Sequence, residues 1–244
     1  TEESDGLNAY IAEDQFSIER LNDLYLFENK EVEITYEMQL IPQQNWNAEW
    51  EKNFPKVVVD DYCEIIAPFH EKTQNVNFSI LIEPKMSFGT GHHDTTYMMI
   101  QLMRQLDLKD KMVMDMGCGT GVLAILAKLE GAAGVTAVDI DDWAFENTLE
   151  NIERNNVTEI EVLKGGAEQA KGKCYDVFIA NINRNILLRD LPAYEESMNS
   201  GADLLLSGFF ITDFDQLDQK LKELGFSKVN KIERNNWCAL HFKK

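Results

Sequence analysis

No apolar run in this sequence approaches the roughly 18 to 20 residues that span a bilayer, so a membrane-spanning helix is excluded. The opening Thr1-Glu2-Glu3-Ser4-Asp5-Gly6 is acidic and lacks the basic and then apolar pattern of a signal peptide. Cysteine is scarce. Cys63, Cys118, Cys174 and Cys238 are scattered with no C-x-x-C pair, which excludes a structural zinc site or a disulfide framework and leaves reduced thiols of a cytoplasmic protein as the expectation. Positive charge is also short: 23 Lys and Arg stand against 42 Asp and Glu, a net charge of -19. That balance opposes nonspecific binding to phosphate backbones, keeps the chain soluble, and would attract a basic protein partner. With 244 residues, the chain can bury a sizeable core as one large domain, or as a medium domain with a small partner.

Against these absences stands one dense motif, Val113-Met114-Asp115-Met116-Gly117-Cys118-Gly119-Thr120-Gly121, followed 22 residues after Gly117 by Asp139 at the end of Val135-Thr136-Ala137-Val138. A short apolar strand enters three closely spaced glycines, which permit a tight turn and close approach to a ligand, and then a helix over 122–130. A second apolar strand ends in a carboxylate. In a right-handed βαβ unit the two strand ends lie side by side, so Asp139 can accept hydrogen bonds from both hydroxyls of a ribose. Dinucleotide sites read G-x-G-x-x-G because a pyrophosphate rests on the helix N-terminus, whereas this loop reads G-x-G-x-G behind a second acid, Asp115. A carboxylate there would repel phosphates and suit a cofactor carrying an ammonium and a sulfonium, S-adenosylmethionine.

Periodicity divides the chain into two parts. Residues 7–12 read as a strand, 17–24 as a helix and 31–41 as an alternating strand, too little to fold well alone, so an upstream strand and helix are expected beyond Thr1. Pro42-Gln43-Gln44-Asn45 breaks the pattern, and Trp46, Trp50 and Phe54 recur on one helix face that packs the linker onto a domain. The expected division is a partial recognition domain over 1–44, a linker helix over 45–56 and a catalytic domain over 57–244. Within the last, strand-like runs at 57–59, 63–67 and 78–82 precede a helix over 94–106. Strands at 112–116, 135–139, 160–163, 177–180 and 204–207 then alternate with helices at 122–130, 143–155, 185–196 and 213–224. This predicts a parallel sheet covered on both faces. Residues 228–233 and 237–242 around Asn235-Asn236 predict a closing antiparallel hairpin.

Asn181-Ile182-Asn183 follows the apolar strand 177–180, which lies beside the first strand and across the switch point from Asp139, where open α/β sheets bind ligands. The Asn181 oxygen could accept a hydrogen bond from a substrate N–H and aim the nitrogen lone pair at a methyl group; Asn183 is the better helix cap. Upstream, Phe88-Gly89-Thr90-Gly91-His92-His93-Asp94-Thr95-Thr96 reads as a flexible loop able to close over a ligand, with Asp94 or Thr95 capping the next helix. Adjacent histidines without a third ligand do not make a metal site, and none is expected.

A mostly parallel sheet with a C-terminal hairpin resembles the class I S-adenosylmethionine-dependent methyltransferase fold, accompanied here by a small, truncated N-terminal α+β domain. The string Phe-Gly-Thr-Gly-His-His-Asp-Thr-Thr, the later Ala180-Asn181-Ile182, and the linker Trp46-Asn47-Ala48-Glu49-Trp50-Glu51-Lys52-Asn53-Phe54 are similar to the PrmA family, the methyltransferases of ribosomal protein L-eleven. Lys85 stands where a glycine is common in that family. The resemblance implies a small domain that recognises the ribosomal protein, cofactor contacts at Thr96, Gly117, Asp139 and Asn181, and methylation of lysine side chains and the N-terminal amine.

Taken together, the expectations are cofactor contacts at Phe88, Thr96, Gly117, Gly119, Asp139 and Asn181, amine orientation by Asn181, and in-line methyl transfer without a metal or a covalent enzyme intermediate. The chain is expected to be a cytoplasmic monomer that binds no nucleic acid. Two alternatives are a methyltransferase acting on another protein or on a nucleic-acid nitrogen, and a cofactor-binding subunit without catalysis. Enzymes for planar nitrogens carry Asn-Pro-Pro-aromatic or Asp-Pro-Pro-aromatic after the fourth strand, whereas Ile182, Asn183 and Arg184 stand in those positions here.

Overall fold

The computed structural model describes residues 2–3, 6–25, 35–40, 55–83 and 93–244. The chain divides into two compact units, Thr1–Asn53 and Phe54–Lys244. In the first, β1 (Glu2–Glu3) pairs antiparallel with β2 (Gly6–Leu7). The short helix α1 (Ile18–Asn22) is capped by Ser17, whose hydroxyl accepts the Arg20 amide at 3.3 Å. The expected strand over 7–12 is corrected: only Leu7 is in a strand, and residues 8–12 contain none. Of the expected strand over 31–41, residues 35–40 carry no regular structure and the rest lies outside the described residues. Alternation alone makes no strand; a ladder needs a neighbour, and Tyr36, Met38 and Leu40 are exposed. The linker helix carrying Trp46, Trp50 and Phe54 also lies outside the described residues.

The second unit opens with a three-stranded sheet in the order β3-β4-β5, with β3 (Val57–Val59) antiparallel to β4 (Cys63–Ile66) and β4 parallel to β5 (Phe78–Leu81). Helix α2 (Asp94–Met103) leads to the main sheet. Along the chain this comprises β6 (Met112–Met116), α3 (Val122–Leu129), β7 (Gly134–Asp139), α4 (Asp142–Arg154), β8 (Ile160–Lys164), β9 (Tyr175–Asn181), α5 (Arg184–Glu196), β10 (Met198–Phe210), α6 (Phe214–Glu223), β11 (Ser227–Arg234) and β12 (Trp237–Lys243). The order is β11-β12-β10-β9-β6-β7-β8, and only β12 runs against its two neighbours. The chain steps outward from β6 through β7 to β8, then crosses to β9, which makes the β6/β9 boundary the switch point.

The sheet is covered on both faces because its central strands are apolar on both. Val113, Val177, Ile179 and Leu205 join the core on one face, while Met114, Phe178, Ala180, Leu204 and Leu206 join the core on the other. This is the two-layer consequence of a side-chain period of two in a buried parallel strand. Asn235 and Asn236, both at positive φ (46° and 69°), close the β11–β12 hairpin as their sequence suggests. The class I architecture expected from the alternation is present, with boundaries shifted by a few residues at β9 and β10.

Candidate active site at the carboxyl edge of the sheet

Strand order arranges the site along one line. At the carboxyl edge Asn181 is level with Ser207 of β10, Met116 with Ala180 and with Val138, and Asp139 with Lys164. Because β12 is antiparallel, its first residue, Trp237, arrives at this edge opposite Phe210. A cavity of about 400 Å³ follows the line, bordered by Trp237 and Gly208, then Asn181 and Ile182, then Gly117 and Gly119, then Asp139, Ile140 and Gly165 to Ala167. That volume lies in the range of small-molecule sites.

The glycine loop is pinned to the end of β7. The amides of Gly117 and Cys118 both donate to the Val138 carbonyl, at 2.7 and 3.0 Å, and the Gly119 amide donates to Asp139 Oδ2 at 2.9 Å. Gly117 is required twice over: its φ is +74°, and a Cβ there would lie 2.2 Å from Ile182 Cγ2. Asp139 does more than the sequence suggested. Its Oδ1 accepts the Asp141 amide at 3.0 Å, and its carbonyl accepts the Gly165 amide at 2.9 Å, so it fixes three turns while lining the cavity. Each carboxylate oxygen keeps a further lone pair for a ligand hydroxyl.

Asp115 does not line the cavity, which corrects the reading that it faces the cofactor's positive charge. It is buried, and its Oδ2 accepts the Ala124 amide at 3.0 Å, tying the end of β6 to the first turn of α3. Burial pushes its carboxyl up to about 7; the Ala124 hydrogen bond opposes this and the Asp139 charge adds to it. The same desolvation pushes the neighbouring Cys118 thiol up, which makes it unreactive.

Asn181 sits where the sequence placed it. Its Nδ2 points to Thr96 Oγ1 at 3.5 Å, and its Oδ1 is buried without a hydrogen-bond partner among the described residues. Thr96, expected to touch cofactor, is itself buried and stands behind Asn181 rather than on the cavity wall. Asn183 caps α5, its Oδ1 accepting the Ile186 amide at 3.1 Å. The α2 cap is His93 rather than Asp94 or Thr95: its side chain accepts the Thr95 amide, and Asp94 instead pairs with Arg234 at 2.7 Å. Phe88 and His92 lie outside the described residues.

Motif reading missed the walls that no motif carries. Gly208 has a φ of +93° and lies so close to the Asn181–Ile182 turn that a Cβ would come within 2.4 Å of the Ile182 carbonyl oxygen. Trp237 stacks on Phe210 (centroids 4.2 Å apart) and takes His93 edge-on at 4.5 Å. The α5 residues Ile186, Arg189 and Tyr194 close the far wall. A glycine between apolar β10 residues was the one available signal, since such a glycine marks close backbone approach.

The acidic end of β7, the apolar surface of Ile140 beside it, the close-packed glycine turn and the orphaned Asn181 oxygen form a set that fits an adenosyl group with a reactive centre near Asn181. Comparison with known proteins points to a family. The family model described as ribosomal protein L11 methyltransferase (PrmA) matches residues 1–244. The chain is 46% identical over 240 residues to the ribosomal protein L11 methyltransferase of Phocaeicola vulgatus, covering 97% of this chain and 85% of that one. It is 43% identical over 244 residues to that of Bacteroides fragilis, covering 99% and 87%. The crystal structure of the ribosomal protein L11 methylase from Lactobacillus delbrueckii subsp. bulgaricus superposes with a TM-score of 0.71 at 25% identity, covering 78% of this chain and 98% of that one. A T. thermophilus 16S rRNA methyltransferase in complex with AdoMet and guanosine shares the fold, with a TM-score of 0.55 at 17% identity over 65% of this chain and 45% of that one. With the whole chain matched by one family model, and close relatives aligned nearly end to end, this chain belongs to the ribosomal protein L11 methyltransferase (PrmA) family.

Proposed function

We propose that this protein methylates amino groups of ribosomal protein L11, lysine side chains and the N-terminal amine, with S-adenosylmethionine as methyl donor. The observation that carries the reading is the buried Oδ1 of Asn181 on the cavity wall, without a partner among the described residues, one strand from the glycine loop and two from Asp139. S-adenosylmethionine supplies a methyl group on a sulfonium leaving group. Asp139 would hold the ribose hydroxyls, and the Gly117–Gly119 backbone would seat the cofactor against β6. Thr96 steadies the Asn181 amide through its hydroxyl, and a cofactor contact is assigned to Phe88 from the sequence alone. Asn181 Oδ1 accepts an N–H of the incoming amine and turns the nitrogen lone pair toward the methyl group.

The amine must be neutral to react. A lysine with a pKa of about 10.4 is only roughly one part in 2,500 neutral at pH 7, a handicap of about 4.6 kcal/mol. The apolar wall of Trp237, Ile182 and Ile186 lowers that handicap by disfavouring the ammonium. Residues 1–44 are assigned to substrate recognition and 45–56 to the linker, with the chemistry in 57–244. We assign the protein to the cytoplasm as a monomer; among the described residues no helix is long and apolar enough to cross a membrane.

Incubation with labelled S-adenosylmethionine and purified ribosomal protein L11, followed by mass mapping, tests the reading. The wild type should label L11 amines and leave duplex DNA and glutamine peptides unlabelled. Asn181→Ala should lose about 100-fold in turnover, with a cofactor dissociation constant within about threefold of wild type, because orientation matters chiefly in the transition state. Absence of label in L11, or a fully active Asn181→Ala, would reject it.

A further inference from the structure

The inward stripe of helix α4 is polar where a core helix is expected to be apolar. Three of its four buried residues are Asn147, Thr148 and Asn151, and the C-cap Asn155 continues the stripe one turn on. Each side chain has a defined task. Thr148 Oγ1 donates to the Gly119 carbonyl at 2.9 Å. Asn151 Nδ2 donates to the Thr120 carbonyl at 2.9 Å and to Asn147 Oδ1 at 3.2 Å, while Asn151 Oδ1 accepts the amide of Glu83 at 3.1 Å. Asn155 acts as a one-residue strand against the free edge of β5: its Oδ1 accepts the Leu81 amide at 2.8 Å, and its Nδ2 donates to the Leu81 carbonyl at 2.7 Å. Outside this ladder, Arg154 pairs with the Glu83 carboxylate at 3.1 Å.

Asn151 is thus the one rung that holds both sides. Through Nδ2 it sets a carbonyl of the glycine loop that lines the cavity, and through Oδ1 it sets the chain just past β5, from which the sequence runs into the Phe-Gly-Thr-Gly segment. An apolar residue in its place would remove a hydrogen bond from the buried Thr120 carbonyl and another from the part-buried Glu83 amide. Separations of 31 positions from Thr120 to Asn151 and 68 from Glu83 to Asn151 make this a purely tertiary junction.

We infer that Asn151 is a positioning residue which couples occupancy of the glycine loop to the backbone at Glu83, so that cofactor binding stiffens the end of β5. The inference rests on the cofactor reading of the cavity. Binding that orders the loop carbonyls fixes the Asn151 amide, and the fixed amide holds the Glu83 N–H.

Amide hydrogen exchange, read with and without saturating S-adenosylhomocysteine, tests it. In the wild type the Glu83 amide should slow at least fivefold on binding, more than the amides of the β11–β12 hairpin. Asn151→Ala should lose that slowing while still saturating, with a dissociation constant raised about tenfold and turnover at saturation reduced less than threefold. Asn155→Ala, which removes the Leu81 contacts and the side-chain bond to the Asn151 carbonyl but keeps the Asn151 side chain and its own partners, should keep both the Glu83 slowing and the affinity within about twofold. The inference is overturned if Glu83 in the wild type slows no more than the hairpin. It is equally overturned if folded Asn151→Ala matches the wild type in affinity and slowing, or if Asn155→Ala loses as much as Asn151→Ala. The wild-type measurement needs no variant, so it decides even where Asn151→Ala does not fold. A wild type that bound no cofactor by calorimetry would overturn the functional reading and this inference with it, whereas binding without the exchange response overturns this inference alone.

Discussion

On the β6–β7 side of the carboxyl edge, the groups that shape the glycine loop have internal partners. The amides of Gly117, Cys118 and Gly119 are spent on Val138 and Asp139, the carbonyls of Gly119 and Thr120 on Thr148 and Asn151, and Asp115 on Ala124. On the β9–β10 side, two strands away from Asp139, the Asn181 amide oxygen is buried and unpaired among the described residues. A surface whose polar groups are already paired suits tight holding of one fixed ligand, because none of its hydrogen bonds has to be exchanged on binding. A buried acceptor without a partner stores a desolvation cost of about 1 to 3 kcal/mol, recovered only when a donor arrives. Under the proposed function the first half would bind and the second would discriminate, and the following measurements strain that contrast.

The largest effect is expected at Asp115, where the self-satisfied side carries a buried acid. Its folded pKa is about 7, against about 3.9 unfolded, so between those values the folded protein binds more protons and stability falls as pH rises. Below about pH 4 and above about pH 7 this contribution is flat. Asp115→Asn keeps an oxygen for the Ala124 amide and removes the titration. Relative to wild type it should therefore gain up to about 4 kcal/mol between pH 4 and pH 8 in denaturant unfolding. Parallel pH curves for the two proteins would show that Asp115 is not held protonated.

Next is Gly208→Ala on the discriminating side. The added carbon meets the Ile182 backbone, which cannot rotate away, at a φ that costs an L-residue about 1 to 2 kcal/mol. The Asn181–Ile182 turn must shift, and turnover should fall about 100-fold, as a misplacement of about 1 Å can cost. Cofactor affinity should change by less than about fivefold. An equal loss in affinity and turnover, in a protein that still folds, would erase the division between the halves.

The smallest effect concerns Asp139. Asp139→Ala should raise the cofactor dissociation constant about 10- to 150-fold, the equivalent of about 1.5 to 3 kcal/mol for charge-assisted hydrogen bonds. Asp139→Asn should lose nearly as much, because both carboxylate oxygens accept backbone amides and a side-chain amide has only one acceptor. Calorimetry placing Asp139→Asn within about threefold of wild type would mean that neither the loop nor the ligand requires the second carboxylate oxygen.

The order of elements from β6 to β12, the glycine loop, Asp139 and Asn181 were legible because each rests on local physics. An apolar run of strand length, a glycine where φ turns positive, and a polar residue at a strand's carboxyl end can each be recognised within about ten residues. The helix over 122–129 and the Asn235-Asn236 turn fall where those rules put them. The N-terminal strands failed the same rules, since residues 8–12 and 35–40 have an apolar pattern but contain no strand.

What the sequence by itself determined is therefore a doubly wound sheet with an adenosyl-type loop at its switch point, since chain chirality and strand polarity leave one way to assemble such units. Only the tertiary structure decided which way each polar side chain faces. Asp115 and Asp139 follow similar apolar runs, yet one turns under α3 and is sealed while the other opens to the cavity. Thr96 was expected on the wall and lies behind Asn181, while Gly208 and Trp237 reach the site from strands without a motif. The physical reason is that a side chain's direction is fixed by what packs against it, and those partners come from residues 9 to 85 positions away.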